Sequence, residues 1–117
     1  MKKELEDRLV KFSVMTLNLS RLADKSYFNN YLINQLLRSS ASAALNYGEA
    51  QSAESKRDFI HKVGIVLKEL RESHVNLKIL AESKIINNST ELNIALDESN
   101  QLVSIFYKTI QTAKQRK

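Results

Sequence analysis

A chain of 117 residues makes one domain, long enough to bury roughly two thirds of the surface it exposes when unfolded. It contains no proline and no cysteine and has only two glycines, which excludes a disulfide framework, a thiolate zinc site and a cysteine nucleophile and disfavours sheets joined by tight turns. The formal charge of +5 is uneven: residues 1–55 carry seven basic and six acidic side chains, residues 56–117 eleven and seven.

Such an excess attracts polyanions such as RNA, DNA or anionic lipid. The N-terminal MKKELEDRLVKF has the lysines of a signal peptide, but Glu4, Glu6, Asp7, Arg8 and Lys11 interrupt any apolar core. No stretch approaches the ~18 apolar residues of a membrane span. The expectation is a soluble, unprocessed, all-α protein of the reducing cytoplasm, with residues 1–117 as a single domain.

The spacing predicts a first helix from about Lys3 to Ala23, with an apolar stripe of Leu5, Leu9, Phe12, Met15, Leu19 and Leu22. Gaps of four and three are those of near-parallel packed helices, so a second helix has to cover the stripe. Asp24, Lys25 and Ser26 form a polar break, and Ser26 is placed to cap the next helix.

A second helix is predicted from about Tyr27 to Ala50, with Phe28, Leu32, Leu36, Ala43, Tyr47 and Ala50 on its buried side. Between Tyr27 and Gly48 the only charged side chain is Arg38, and a helix so poor in charge is covered by protein on most sides. The run SSASAA at 39–44 lets neighbouring backbones approach closely. It reads as the central helix of a monomeric bundle or, the reading favoured here, as a subunit interface as well.

Ser55, with Asp58 three residues on, resembles a capping box and starts a third helix near Lys56. Its stripe is Phe59, Val63, Val66, Leu70, His74, Leu77 and Ala81, running to about Ile86. Asn87 and Asn88 tolerate the left-handed backbone that ends helices, and Ser89 or Thr90 can cap a fourth. That last helix carries Leu92, Leu96, Ser99, Val103, Phe106, Ile110 and Ala113. Four amphipathic helices joined by short polar loops predict an antiparallel up-down-up-down four-helix bundle.

The parts of an enzyme are missing. Asp58 and His61 have the spacing of half a di-iron site, but the pair occurs once and Asp58 serves better in a cap. His74, on a core stripe, reads as a hydrogen-bonded core histidine. Glu69 and Glu72, interleaved with Lys68 and Arg71, read as a solvated face rather than a catalytic carboxylate pair. No glycine loop is built to cradle phosphate. No cofactor or metal is expected.

One constellation does suggest chemistry. At about 100° per residue, Arg57, Lys68, Arg71 and Lys78 fall within an arc of about 80° on the outer side of the third helix. They make a ridge about 30 Å long, able to follow several phosphates, each adding a salt-dependent increment to binding. Glu82 intrudes at its end. Arg38 and the tail residues Lys114, Arg116 and Lys117 are expected to help.

Leu37-Arg38-Ser39, Ser42, Asn46-Tyr47, Glu49-Ala50, Ser55, Asp58-Phe59, Lys62, Lys68-Glu69 and Glu72-Ser73, in that order, resemble a bacterial four-helix-bundle family. It is named for proteins encoded in intervening sequences of large-subunit ribosomal RNA genes, and its relatives include the accessory protein of diversity-generating retroelements. The resemblance covers the second and third helices closely and the outer two in length and pattern. It implies a homopentameric ring which, in the retroelement branch, binds nucleic acid and a reverse transcriptase through a basic surface. One departure stands at Asn76, where relatives often carry an aromatic residue.

The sequence therefore points to a non-enzymatic homo-oligomer, a pentamer by resemblance, that binds RNA or DNA through phosphates. The alternative is an adaptor ring that docks a protein such as a reverse transcriptase.

Overall fold

The computed structural model describes residues 2–87 and 89–116, with the side chain of Lys2 left aside. Four helices follow one another: α1 Lys2–Ser20, α2 Tyr27–Gln51, α3 Lys56–Glu82 and α4 Thr90–Gln115. Three begin at the caps that local chemistry favours. The hydroxyls of Ser26, Ser55 and Ser89 accept hydrogen bonds from the backbone N–H groups of Asn29, Asp58 and Leu92 at 3.1, 3.0 and 3.1 Å, each cap contributing about 1 kcal/mol.

Each helix packs on its neighbours in chain order, and α4 closes against α1, without close backbone approach across either diagonal among the described residues. Asn76 bonds to Leu32, Ser73 to Ser39 and Lys62 to Glu49. Rising numbers on α2 thus meet falling numbers on α3, as in antiparallel neighbours. Ser40 with Thr16 and Gln51 with Glu6 do the same for α1 and α2. The bundle measures 49 by 22 by 20 Å.

The stripes meet inside. Leu9, Phe12 and Leu19 pack with Leu36, Ala43 and Tyr47, with Val63, Val66, Leu70 and Leu77, and with Leu92, Phe106 and Ile110. The Tyr47 and Phe106 rings meet edge to face at 5.2 Å. The small-residue run does bring backbones together. Ser39, Ser40 and Ala43 are buried, and hydroxyl pairs bridge the helices, Ser40 to Thr16 at 2.8 Å and Ser39 to Ser73 at 2.7 Å.

The periodicity overreached at one end of the bundle. Leu22 lies beyond the end of α1, and Phe28, expected on the buried side, is 74% exposed and rests edge-on against Tyr27. With α1 ending at Ser20, the first turn of α2 stands beyond the four-helix overlap. The third helix also stops earlier than expected, at Glu82. Lys84 takes the left-handed conformation at φ 62°, a role expected of Asn87 or Asn88; Asn88 lies outside the described residues. The reversal folds Ile86 back into the core, where its N–H reaches the Leu80 carbonyl at 3.4 Å. Burial of an isoleucine, worth about 1.5–3 kcal/mol, outweighs the ~1 kcal/mol of a left-handed lysine.

Candidate nucleic-acid interface

The ridge follows from the core stripe of α3. Once Val63, Val66, Leu70, Leu77 and Leu80 turn inward, 100° per residue leaves Arg57, Lys68, Arg71 and Lys78 outside, and all four are exposed. None makes an ion pair or hydrogen bond among the described residues. Val75 and Ile79, both largely exposed, stand among them.

The tail reaches the same end of the bundle as Arg57 but a different face. Arg116 and, in α4, Lys108 line a hollow with Phe59 in the first turn of α3, whereas Arg57, about 200° round the helix from Phe59, lines another with Ser55, Asp58 and His61. Lys114, in the last turn of α4, is exposed. Lys117 lies outside the described residues.

Arg38 does not join them. Its Nη1 donates to Glu69 at 3.1 Å and its Nη2 to Glu72 at 3.0 Å, so its charge is spent inside the protein. These two bonds raise the guanidinium's already high pKa. The solvated-face reading of Glu69 is corrected as well: it is buried, at 6% exposure. The cause is the small-residue run of α2, which brings that helix so close to α3 that Glu69 is covered and Arg38 can span the gap.

Burial alone would raise the Glu69 carboxyl. The Ser42 hydroxyl and the hydrogen bond and charge of Arg38 oppose it, and the group is held below the ordinary glutamate range. Glu69 Oε1 nevertheless has no hydrogen bond of acceptable geometry.

Beside this network, Gln35 and Arg38 of α2 and Arg71, Val75, Asn76 and Ile79 of α3 line an open groove of about 460 Å³. Asn76, a buried polar residue, donates from Nδ2 to the Leu32 carbonyl at 3.1 Å, while its buried Oδ1 finds no partner among the described residues. A buried acceptor left so costs about 1–3 kcal/mol. Sequence reasoning missed this feature, because an asparagine one residue before a core leucine carries no signal of burial.

His74 Nδ1 lies 2.7 Å from Ser99 Oγ, which in turn donates to the Leu96 carbonyl at 3.0 Å. Nδ1 therefore carries the proton and donates to Ser99, as a structural core histidine would. Asp58 lends its backbone N–H to the Ser55 cap. No three histidine, aspartate or glutamate side chains converge as metal ligands among the described residues. No helix there is long and apolar enough to cross a membrane.

The family model of the 23S rRNA-intervening sequence proteins matches residues 6–108. The chain belongs to that family. A crystal structure of a protein of unknown function from the S23 ribosomal protein family, from Bacteroides thetaiotaomicron, superimposes with a TM-score of 0.77 at 27% identity, covering 91% of this chain and 97% of that one. No curated protein matches closely enough to lend the chain a function. As a 23S rRNA-intervening sequence protein the chain has the four-helix fold of that relative, and the matched span includes the whole α3 ridge and its groove, while Lys114 and Arg116 lie beyond it.

Proposed function

We propose that this protein is a non-enzymatic, cytoplasmic homo-oligomer that binds structured RNA or DNA through phosphates, with the α3 ridge as its main contact. The observation that carries the reading is a face with four exposed cations and no ion-pair or hydrogen-bond partner for any of them among the described residues. Arg116 and Lys114 add positive charge at the Arg57 end of the bundle, on a neighbouring face. Arg38, neutralised by two carboxylates, is not part of the ridge.

Assembly has its own support. Val10, Val14 and Leu17 stand exposed on the outer face of α1 at four-three spacing. The Thr16–Ser40 and Glu6–Gln51 bonds set a register that brings exposed Leu45 of α2 level with Lys11 and Phe12, within a turn of Val10 and Val14. A row of exposed apolar side chains at the period of packed helices suits a protein contact. Five copies is what the family resemblance implies.

The test is fluorescence anisotropy with a labelled structured RNA and a matched duplex DNA at several salt concentrations. Two to four phosphate contacts give a log–log salt slope of about −2 to −4. Charge reversal at Lys68→Glu and Lys78→Glu should flatten that slope and weaken binding to every sequence alike. No binding even at low salt would overturn the reading in favour of an adaptor that docks a protein such as a reverse transcriptase.

A further inference from the structure

We propose that Tyr27, Phe28 and Tyr31, exposed at the start of α2, form a stacking platform for unpaired bases of a single strand whose phosphates lie on the Lys78 end of the α3 ridge. This rests on the nucleic-acid reading above and adds to it a preference for single-stranded segments.

The first support is an aromatic cluster that the core does not use. Three of the chain's eight aromatic side chains fall within five positions. They are 81%, 74% and 57% exposed, whereas Phe12, Tyr47 and Phe106 fill the core. Aromatic area gathered in water marks a surface that meets something. The backbone beneath it is held in place. The Ser26 hydroxyl caps the helix, and Asn29 Nδ2 donates to the Asp24 carbonyl at 2.8 Å. Tyr27 and Phe28 meet edge to face at 5.5 Å, and at their exposures ring faces remain open to a base.

The second support is position. At 100° per residue, Tyr27, Phe28 and Tyr31 share an arc of about 100° with Gln35 and Arg38, which line the groove against α3. The Asn76–Leu32 and Ser73–Ser39 bonds set Tyr31 level with residues 77–81, the turn that holds Lys78 and Ile79. The aromatic face therefore stands on the side of α2 that adjoins the end of the ridge.

The third is charge, which selects the occupant. The exposed row of Val10, Val14 and Leu17 is aliphatic and suits another protein. Here the rings stand among cations: Lys25, Arg71, Lys78 and Lys84 are exposed, with no ion-pair or hydrogen-bond partner among the described residues. The acids on this side are Asp24, Glu72 and Glu82, and Glu72 is held by Arg38. Aromatic faces between free cations suit a single strand, because charge draws the backbone while any base can stack on a ring. Only unpaired bases are free to do so.

Anisotropy of the full chain with a labelled oligothymidylate, an abasic strand of the same length and a duplex DNA tests the platform. The oligothymidylate should bind more tightly than the abasic strand. Phe28→Ala with Tyr31→Ala should weaken oligothymidylate binding about tenfold, with helicity, abasic-strand affinity and duplex affinity unchanged. Tyr31→Phe, which keeps the ring, should bind as the wild type does. Equal wild-type affinity for oligothymidylate and abasic strand, or no oligothymidylate binding at low salt, would overturn the proposal. So would a double variant that loses all three ligands alike or none, or one whose mass falls in light scattering, which would make the cluster a protein contact. Lys68→Glu with Lys78→Glu lowers all three affinities if the ridge is real. Failure of the ridge and failure of the platform are thereby told apart.

Discussion

Arg38→Ala separates an internal role for this arginine from a role in binding. The guanidinium bridges Glu69, whose side chain is 8% exposed, and Glu72, whose side chain is 43% exposed, while its own is 52% exposed. Removing one partner of a fully buried pair costs about 3–5 kcal/mol, and a surface pair contributes about 0–1 kcal/mol. A half-exposed arginine on a buried carboxylate falls between, at about 2 kcal/mol. For a chain of this length, with ~2.1 cal/mol/K per residue of unfolding entropy, that lowers Tm by about 8 °C.

Urea unfolding followed by circular dichroism at fixed protein concentration measures the cost, and pH adds a sharper signature. In the wild type Glu69 is held below the ordinary value of 4.5. Its contribution is complete above that value and fades as pH falls through the depressed one. Without Arg38, its hydrogen bond and its charge no longer oppose burial and the folded carboxyl titrates higher than in the wild type, so protonation costs the variant less. The gap between the two proteins should therefore narrow below about pH 5. A loss under ~0.5 kcal/mol at pH 7, with a gap that stays constant down to pH 4, would refute the account. Phosphate-mediated affinity of the folded variant should match the wild type.

Burial, aided by the charge of Lys78, pushes the His74 imidazole below its ordinary value of 6.5. The unfolded chain then binds the extra proton first, so stability is full above about pH 6.5 and falls as pH drops through the window beneath it. His74→Gln should remove that part of the slope in urea midpoints measured from pH 7.5 to 5.5, and equal slopes in both proteins would reject it. For assembly, Val14→Asp should reduce the mass by light scattering towards the 13.4 kDa of one chain with helicity retained; an unchanged mass would place the contact elsewhere.

What could be read in advance divides by range. The α3 ridge was legible because it depends on one helix's rotation per residue and on which stripe turns inward. Ser26, Ser55 and Ser89 were legible as caps because a cap's donor lies three residues away. His74 was legible as a hydrogen-bonded histidine facing the bundle from its place on the stripe, and it is half-buried against Ser99. Arg38 was misassigned because its partners lie 31 and 34 residues away on another helix. Leu22 and Phe28 were misassigned because periodicity says which side a residue faces and nothing about how far the neighbouring helix extends.

By itself, then, the sequence determined four amphipathic helices, their order, most of the inward stripes and the cationic face of α3. All of these are set by local periodicity and by interactions within one turn. Only the tertiary structure decided that Arg38 is neutralised, that Glu69 is buried, that Lys84 rather than an asparagine turns the chain, and that Asn76 is buried with an oxygen that has no partner among the described residues. Each depends on how closely two helices approach and where each one stops, and those distances are set by packing between segments remote in the chain.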